Sequence, residues 1–236
     1  MKLDNKSNQE EILNQYLKIL EKINNYSPNT IKSYKNDITQ YLNEENKIGE
    51  FSNFLKNCSK KNYSKSTINR KITSIRSFLF WSAENDYFEK DQIKRVTSLK
   101  TDKKLPNVLT ANYINELLDS LPVSNNKEIR DKAILDLMYS SGLRVSEVSN
   151  LVIKDIRSNK SIKVLGKGSK ERVLPITERA FNSINNYLKI AREIFANEKS
   201  GQFLFLGIRG GKLSDREIRR IVKLRVGTFP LLATNF

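Results

Sequence analysis

The sequence predicts a mainly α-helical protein of two lobes with one small β-hairpin. Three observations carry that reading. Apolar residues recur at helical spacing over most of the 236 residues. That period lapses over residues 96–109 (VTSLKTDKKLPNVL), where a charge cluster and Pro106 mark a linker. Two short β-branched runs, Ser161–Leu165 and Glu171–Ile176, flank a glycine-bearing turn at 166–170 and form the hairpin. The lobes are therefore residues 1–95 and 110–236.

The first lobe divides into four helices. Residues 9–24 carry Ile12, Tyr16, Leu17, Leu20 and Ile23 near helical spacing. Ser27 is a good N-cap and Pro28 a good first helical residue. The second helix starts there, with Ile31, Tyr34, Ile38, Tyr41 and Leu42 facing inward and Lys32 and Lys35 off that face. A shorter third helix spans Ile48 to about Leu55. The fourth starts near Ser64 and runs to Trp81; Ile68, Ile72, Ile75 and Leu79 form its buried stripe, and Ser66, Arg70, Thr73 and Ser77 fall opposite. A smooth face of small hydroxyls around one arginine suits a helix lying against a DNA groove, and it suits a solvated surface equally well.

In the second lobe Thr110 caps a helix bearing Ile114, Leu117 and Leu118. Ile129, Ala133, Ile134, Leu137 and Met138 mark the next helix, which ends at about Ser141 because Gly142 tolerates the left-handed dihedrals a helix terminus needs. Val145, Val148 and Leu151 begin a new stripe, so Arg144 falls at the corner between two helices. A guanidinium held at a fixed corner can clamp phosphate oxygens, or it can be a surface arginine capping a carbonyl.

Beyond the hairpin, residues 178–196 form a helix with Ala180, Ile184, Tyr187, Leu188 and Ala191 inward, and Phe203, Leu204 and Phe205 form a short apolar segment. The last helix opens on a capping box, Ser214-Asp-Arg-Glu217. Ile218, Ile221 and Val222 face inward, and Arg216, Arg219, Arg220 and Lys223 line a basic stripe suited to phosphate contact. The glycines around Lys167 do not make a Walker loop, which needs more residues and a following helix.

Composition narrows the partner. Forty-two Lys and Arg against 26 Asp and Glu give a net charge of +16, which calls for a polyanion: nucleic acid or an anionic membrane surface. The excess is concentrated: residues 51–100 carry eleven basic against four acidic residues and 151–200 eleven against five, whereas 101–150 carry six against seven. Two basic regions around a neutral one suit a protein that grips a duplex from two sides. No apolar run approaches a bilayer span, and the polar start MKLDNKSNQEE is not a secretory signal, so the expected setting is cytoplasmic. Cys58 is alone and histidine is absent, which removes a disulfide framework, cysteine or histidine metal sites and histidine acid–base chemistry; no metal or cofactor is implied.

The run GLRVSEVSNLVIKDI at 142–156 resembles the first signature box of the tyrosine recombinases, DNA strand-exchange enzymes of the Xer and phage-integrase type. SPNTIKSYKNDITQYL followed by STINRKITSIRSFLFW resembles their four-helix, SAM-like core-binding domain, and VLGKGSKERVLPI their catalytic β-hairpin. The resemblance implies that Arg144 binds the scissile phosphate and that Lys167 is the general acid for the departing 5′-hydroxyl. Lys35, Arg70, Thr73, Lys170, Arg172, Arg216, Arg219, Arg220 and Lys223 become DNA contacts, on a linker that lets two lobes close around a duplex. It further implies a homo- or hetero-tetramer on double-stranded recombination sites and, for the Xer type, resolution of chromosome dimers at cell division. A core-binding domain directly at the start leans towards Xer over a phage or transposon integrase.

The C-terminal residues depart from the family pattern. The second box reads approximately H-x-x-R-H followed by Ala-Thr, and Ala233-Thr234 resembles its end. With Thr228-Phe229 placed on its middle, Gly227 stands where the histidine belongs and Pro230 where the second arginine belongs, the run to Ala233 being then one residue short. None of the nine tyrosines follows that box, as the family nucleophile does. The expectation is a catalytic domain incomplete at its C-terminus, in a chain that binds DNA without cutting it: an inactive DNA-binding remnant or regulator.

Overall fold

The computed structural model describes residues 6–44, 48, 50–93, 98–100, 110–166 and 171–226. The chain divides into two compact units, Met1–Lys104 and Leu105–Phe236.

The first unit is a bundle of α1 (Lys6–Lys22), α2 (Pro28–Asn43), α3 (Ser52–Lys60) and α4 (Lys65–Glu84), followed by a 3₁₀ turn at Lys90–Gln92. Its helix starts are set locally: the Ser27 and Ser64 hydroxyls accept from the amides of Thr30 and Thr67, each at 3.2 Å. Burying one stripe per helix makes the core, where Leu20, Ile38, Tyr41, Phe54, Ile72, Ile75, Phe78 and Leu79 are almost wholly enclosed. The third helix starts four residues later than its expected start at Ile48. Phe51 and Phe54 enter the core and Cys58 follows one turn on, so the buried stripe begins at the helix start and Ile48 packs from the segment before it. Burial also pushes the Cys58 thiol up from its ordinary pKa, the mark of a packing residue.

The second unit opens with α5 (Ala111–Asp119), capped by Thr110, and α6 (Asn126–Ser141), capped by Asn125. Gly142 ends α6 with φ 62° and ψ 26°, a left-handed conformation that only glycine adopts cheaply. The short α7 (Val145–Asn150) follows at once. A three-stranded antiparallel sheet comes next, in the order β1 (Ile156–Arg157), β2 (Ser161–Leu165), β3 (Glu171–Pro175). Leu165 opposite Glu171 and Ser161 opposite Pro175 fix the register of the expected hairpin. The added strand β1 is two residues long, too short to leave a periodic signal.

The expected helix over 178–196 is three pieces: α8 (Glu178–Asn186), a π-helical segment Tyr187–Arg192, and α9 (Glu193–Phe195). Tyr187, Ala191 and Phe195 are all buried and recur every fourth residue, a spacing that drifts around a regular α-helix and is held in line by wider turns. Then α10 (Asp215–Val226) starts at Ser214, whose hydroxyl accepts from the Glu217 amide at 3.3 Å while Glu217 reaches back to the Ser214 hydroxyl at 3.1 Å. Ile218, Ile221 and Val222 bury its inner face. α10 packs on α6 and α7, and the Ser149 hydroxyl fastens that junction by donating to the Leu213 carbonyl at 2.7 Å.

Candidate nucleic-acid interface

Arg144 is the N-cap of α7, with φ −70° and ψ 151°. Its chain neighbours Leu143 and Val145 are buried, which fixes the backbone on both sides, yet its own side chain is 74% exposed. A rigid backbone under an exposed guanidinium is the mount a phosphate clamp requires. Arg144 does not cap a carbonyl with its side chain. Its guanidinium meets the carboxylate of Glu147 at 3.2 Å, and the other Glu147 oxygen accepts the Arg144 amide at 2.8 Å.

Glu147 joins two arginines. The oxygen that receives the Arg144 amide also receives Arg172 Nη2 at 3.0 Å. Strand alternation makes this possible: Arg172 and Leu174 share the inward side of β3, and Leu174 packs on the core. Burial alone would raise the Glu147 pKa. The Arg144 amide and the Arg172 and Arg144 guanidinium groups outweigh it, and the carboxyl is held below its usual range. Because the folded pKa lies below the unfolded one, the cluster stabilises the fold at neutral pH. That stabilisation is lost as pH falls from the ordinary glutamate range through the depressed folded value. A Glu147→Gln variant should unfold with a flatter acid limb than the unsubstituted protein when melting is followed against pH. An unchanged acid limb would rule Glu147 out as its source.

Glu147 escaped the sequence reading because the capping-box signal needs Ser, Thr, Asp or Asn at the N-cap, and arginine stands there instead. Arg172, expected as a DNA-backbone contact, is half-buried and commits one edge to Glu147. Lys167 and Lys170, expected at the hairpin tip, lie outside the described residues.

The basic stripe of α10 takes the predicted form. Arg216, Arg219, Arg220 and Lys223 are exposed on the side opposite Ile218, Ile221 and Val222. Arg225 turns away from this group: its guanidinium bonds Asp131 at 3.1 Å and meets Glu128 at 3.5 Å, tying the end of α10 to α6.

In the first unit Lys35, Arg70 and Thr73 are all exposed, as are Ser66 and Ser77. Arg70 is not free, however; its guanidinium pairs with the buried Asp37 of α2. Thr73 donates to the Asn69 carbonyl within its own helix at 2.9 Å. Asn69 also receives the amide of Leu99 and donates to its carbonyl, both at 2.8 Å, which fastens residues 98–100 to α4. Among the described residues no helix is long and apolar enough to cross a membrane, and no cluster of three metal-ligating side chains occurs.

Comparison with known proteins places this arrangement. The profile of the phage integrase family matches residues 107–227, and that of the phage integrase N-terminal SAM-like domain matches residues 13–85. A tyrosine recombinase XerC of Corynebacterium glutamicum is 30% identical over 218 residues, 89% of this chain and 70% of its own length. A XerC of Thermodesulfovibrio yellowstonii is 35% identical over 208 residues, 84% of this chain and 69% of its own. A XerD of Staphylococcus epidermidis is 30% identical over 223 residues, covering 90% and 76%. Among solved structures, a lambda integrase tetramer bound to a Holliday junction superposes with a TM-score of 0.67 at 15% identity, covering 94% of this chain and 66% of that one. The Tn1549 transposon integrase in complex with a circular intermediate DNA gives 0.65 at 18%, covering 95% and 82%. Two family profiles in the expected order, with Xer relatives aligned over most of the chain, show that this protein belongs to the phage integrase family, as a tyrosine recombinase of the Xer and integrase type that acts in site-specific DNA recombination.

Proposed function

We propose that residues 1–95 grip one face of a duplex recombination site, residues 110–236 carry the strand-exchange machinery, and residues 96–109 link them. The observation that carries this reading is Arg144: an exposed guanidinium on a backbone fixed by buried neighbours, braced by a carboxylate that also holds Arg172. In this role Arg144 stabilises negative charge on the pentacoordinate phosphorus, and Lys167 gives a proton to the departing 5′-oxygen. The full reaction takes its attacking oxygen from a tyrosine, which displaces the 5′-oxygen and leaves a 3′-phosphotyrosyl bond, conserving the phosphodiester energy without metal or nucleotide. Arg144 and Lys167 clamp and protonate but do not supply that oxygen. The exposed cations of α10, with Lys35, Arg70, Thr73, Lys170 and Arg172, hold the DNA. The assembly is a tetramer of this chain or of this chain with a related recombinase, working in the cytoplasm on chromosome dimers before division.

A second reading concerns the 236-residue polypeptide itself: that it binds a recombination site without cutting it. Tyr16, Tyr41 and Tyr187 are buried, and burial pushes the Tyr16 pKa up to about 12, the opposite of what a nucleophilic phenol needs. The second-box positions fall on Gly227 and Pro230, outside the described residues. A nicked suicide duplex, run beside a gel shift on the same DNA, tests this. The expected result is a retarded band with no covalent protein–DNA adduct. An adduct would put a tyrosine of this polypeptide on the phosphate; Tyr139, 44% exposed on α6, is then the first to replace with phenylalanine.

A further inference from the structure

Asp37 is an acid in the wrong place for a DNA-binding surface, and it is only 2% exposed. It lies on α2 between Tyr34 and Tyr41, on the side packed against α4. Both carboxylate oxygens are used. Oδ1 accepts from Lys71 Nζ at 2.9 Å, and Oδ2 accepts from the Ser74 hydroxyl at 3.2 Å and pairs with the Arg70 guanidinium. Lys71 is itself buried; its ammonium also reaches Gln40 Oε1 at 2.7 Å and lies 5.1 Å from the centre of the Tyr63 ring.

The group holds one carboxylate and two cations, and they are not equivalent. Lys71 neutralises the buried carboxylate and joins α2 to α4, while the one Ser74 proton is divided between Asp37 Oδ2 at 3.2 Å and the Lys71 carbonyl at 2.9 Å. The Arg70 side chain is 46% exposed, and an ion pair with that much solvent contact adds little to stability. What the pair does is geometric. Asp37 takes one part of a planar fork with five N–H donors and leaves the rest towards solvent, on the face shared with Ser66, Thr73 and Ser77. Lys71 neutralises Asp37, so the positive charge of Arg70 remains available to a phosphate.

We propose that Asp37 is a positioning residue: from the interior it fixes the Arg70 guanidinium in a DNA-ready orientation, and binding then loses less side-chain freedom. This rests on reading the α4 face as a DNA contact. The consequence is that Asp37, a buried acid, raises the affinity of the protein for a polyanion.

The test measures binding of the whole chain to a fluorescein-labelled mixed-sequence duplex by anisotropy across a salt series, with melting temperatures recorded in parallel. Arg70→Ala is expected to weaken binding about tenfold and to lower the salt slope by about 1. Asp37→Asn leaves the Arg70 charge in place, so it should weaken binding with little change in salt slope, and Asp37→Asn combined with Arg70→Ala should bind no more weakly than Arg70→Ala alone. Arg70→Lys, which keeps the charge but replaces the planar fork with a single ammonium point, should bind more weakly than the unsubstituted protein while its salt slope stays close to that protein's. If Arg70→Ala weakens binding while a folded Asp37→Asn binds normally, or if the two losses multiply, the positioning role is overturned and the DNA face stands. If Arg70→Ala binds normally, the DNA face itself is wrong and the proposal falls with it. Should Asp37→Asn fail to fold, Arg70→Lys decides alone, because it leaves Lys71 and Ser74 on Asp37; affinity equal to the unsubstituted protein would overturn the proposal.

Discussion

Replacing Arg216, Arg219, Arg220 and Lys223 together with alanine should lower duplex affinity on the order of a thousandfold at physiological salt and flatten the log–log salt dependence by about 3 to 4. The four side chains are exposed on one helix whose opposite face is buried, so their removal takes charge from the surface and leaves the core untouched. Counterion release ties each lost phosphate contact to a nearly fixed step in that slope, which makes the slope a count of contacts. Arg225→Ala removes one charge from the same helix with the opposite outcome. Its guanidinium is committed to Asp131 and Glu128, so the expected change is a stability loss of about 1–2 kcal/mol with little change in slope. A quadruple variant with an unchanged salt slope would remove α10 from the DNA interface.

The largest stability effect is expected at Tyr187, at the start of the π-helical segment. Its ring is fully enclosed and stacks on Phe205 with centroids 5.4 Å apart, and its hydroxyl accepts the Leu206 amide at 3.1 Å. Tyr187→Ala leaves a cavity where the middle of the second unit packs and should cost about 3–5 kcal/mol. Tyr187→Phe keeps the ring but leaves a buried amide without its acceptor, for about 1–2 kcal/mol. The two units allow an internal control. Trp81, the sole tryptophan, belongs to the first unit, so its fluorescence should follow that unit while the second is destabilised. Tyr187→Ala should therefore move a helix-sensitive circular dichroism transition and leave most of the tryptophan transition in place. Equal movement of both would show that the units unfold together.

Much of this arrangement is local, and what is local was legible. The Ser27, Ser64, Thr110 and Ser214 starts, the Gly142 stop and the inward stripe of α10 depend on residues within one or two turns of each other, which is the range over which capping and periodicity act. The third helix was misplaced for the same reason. No capping residue announces it, and the burial of Ile48 comes from packing outside the helix.

Sequence alone therefore determined where the chain turns, which face of each helix is apolar, that Arg144 stands on a corner, and that a charge of +16 seeks a polyanion. The tertiary structure decided which charges are committed and which are free. Glu147 meets Arg172 across 25 positions, Asp37 meets Arg70 across 33, and Arg225 meets Asp131 across 94. Periodicity says whether a side chain faces in or out but carries no signal about a partner so far along the chain. Arg70, Arg172 and Arg225 looked like any other cation of a basic protein until the packing of separate helices and strands brought a carboxylate to each.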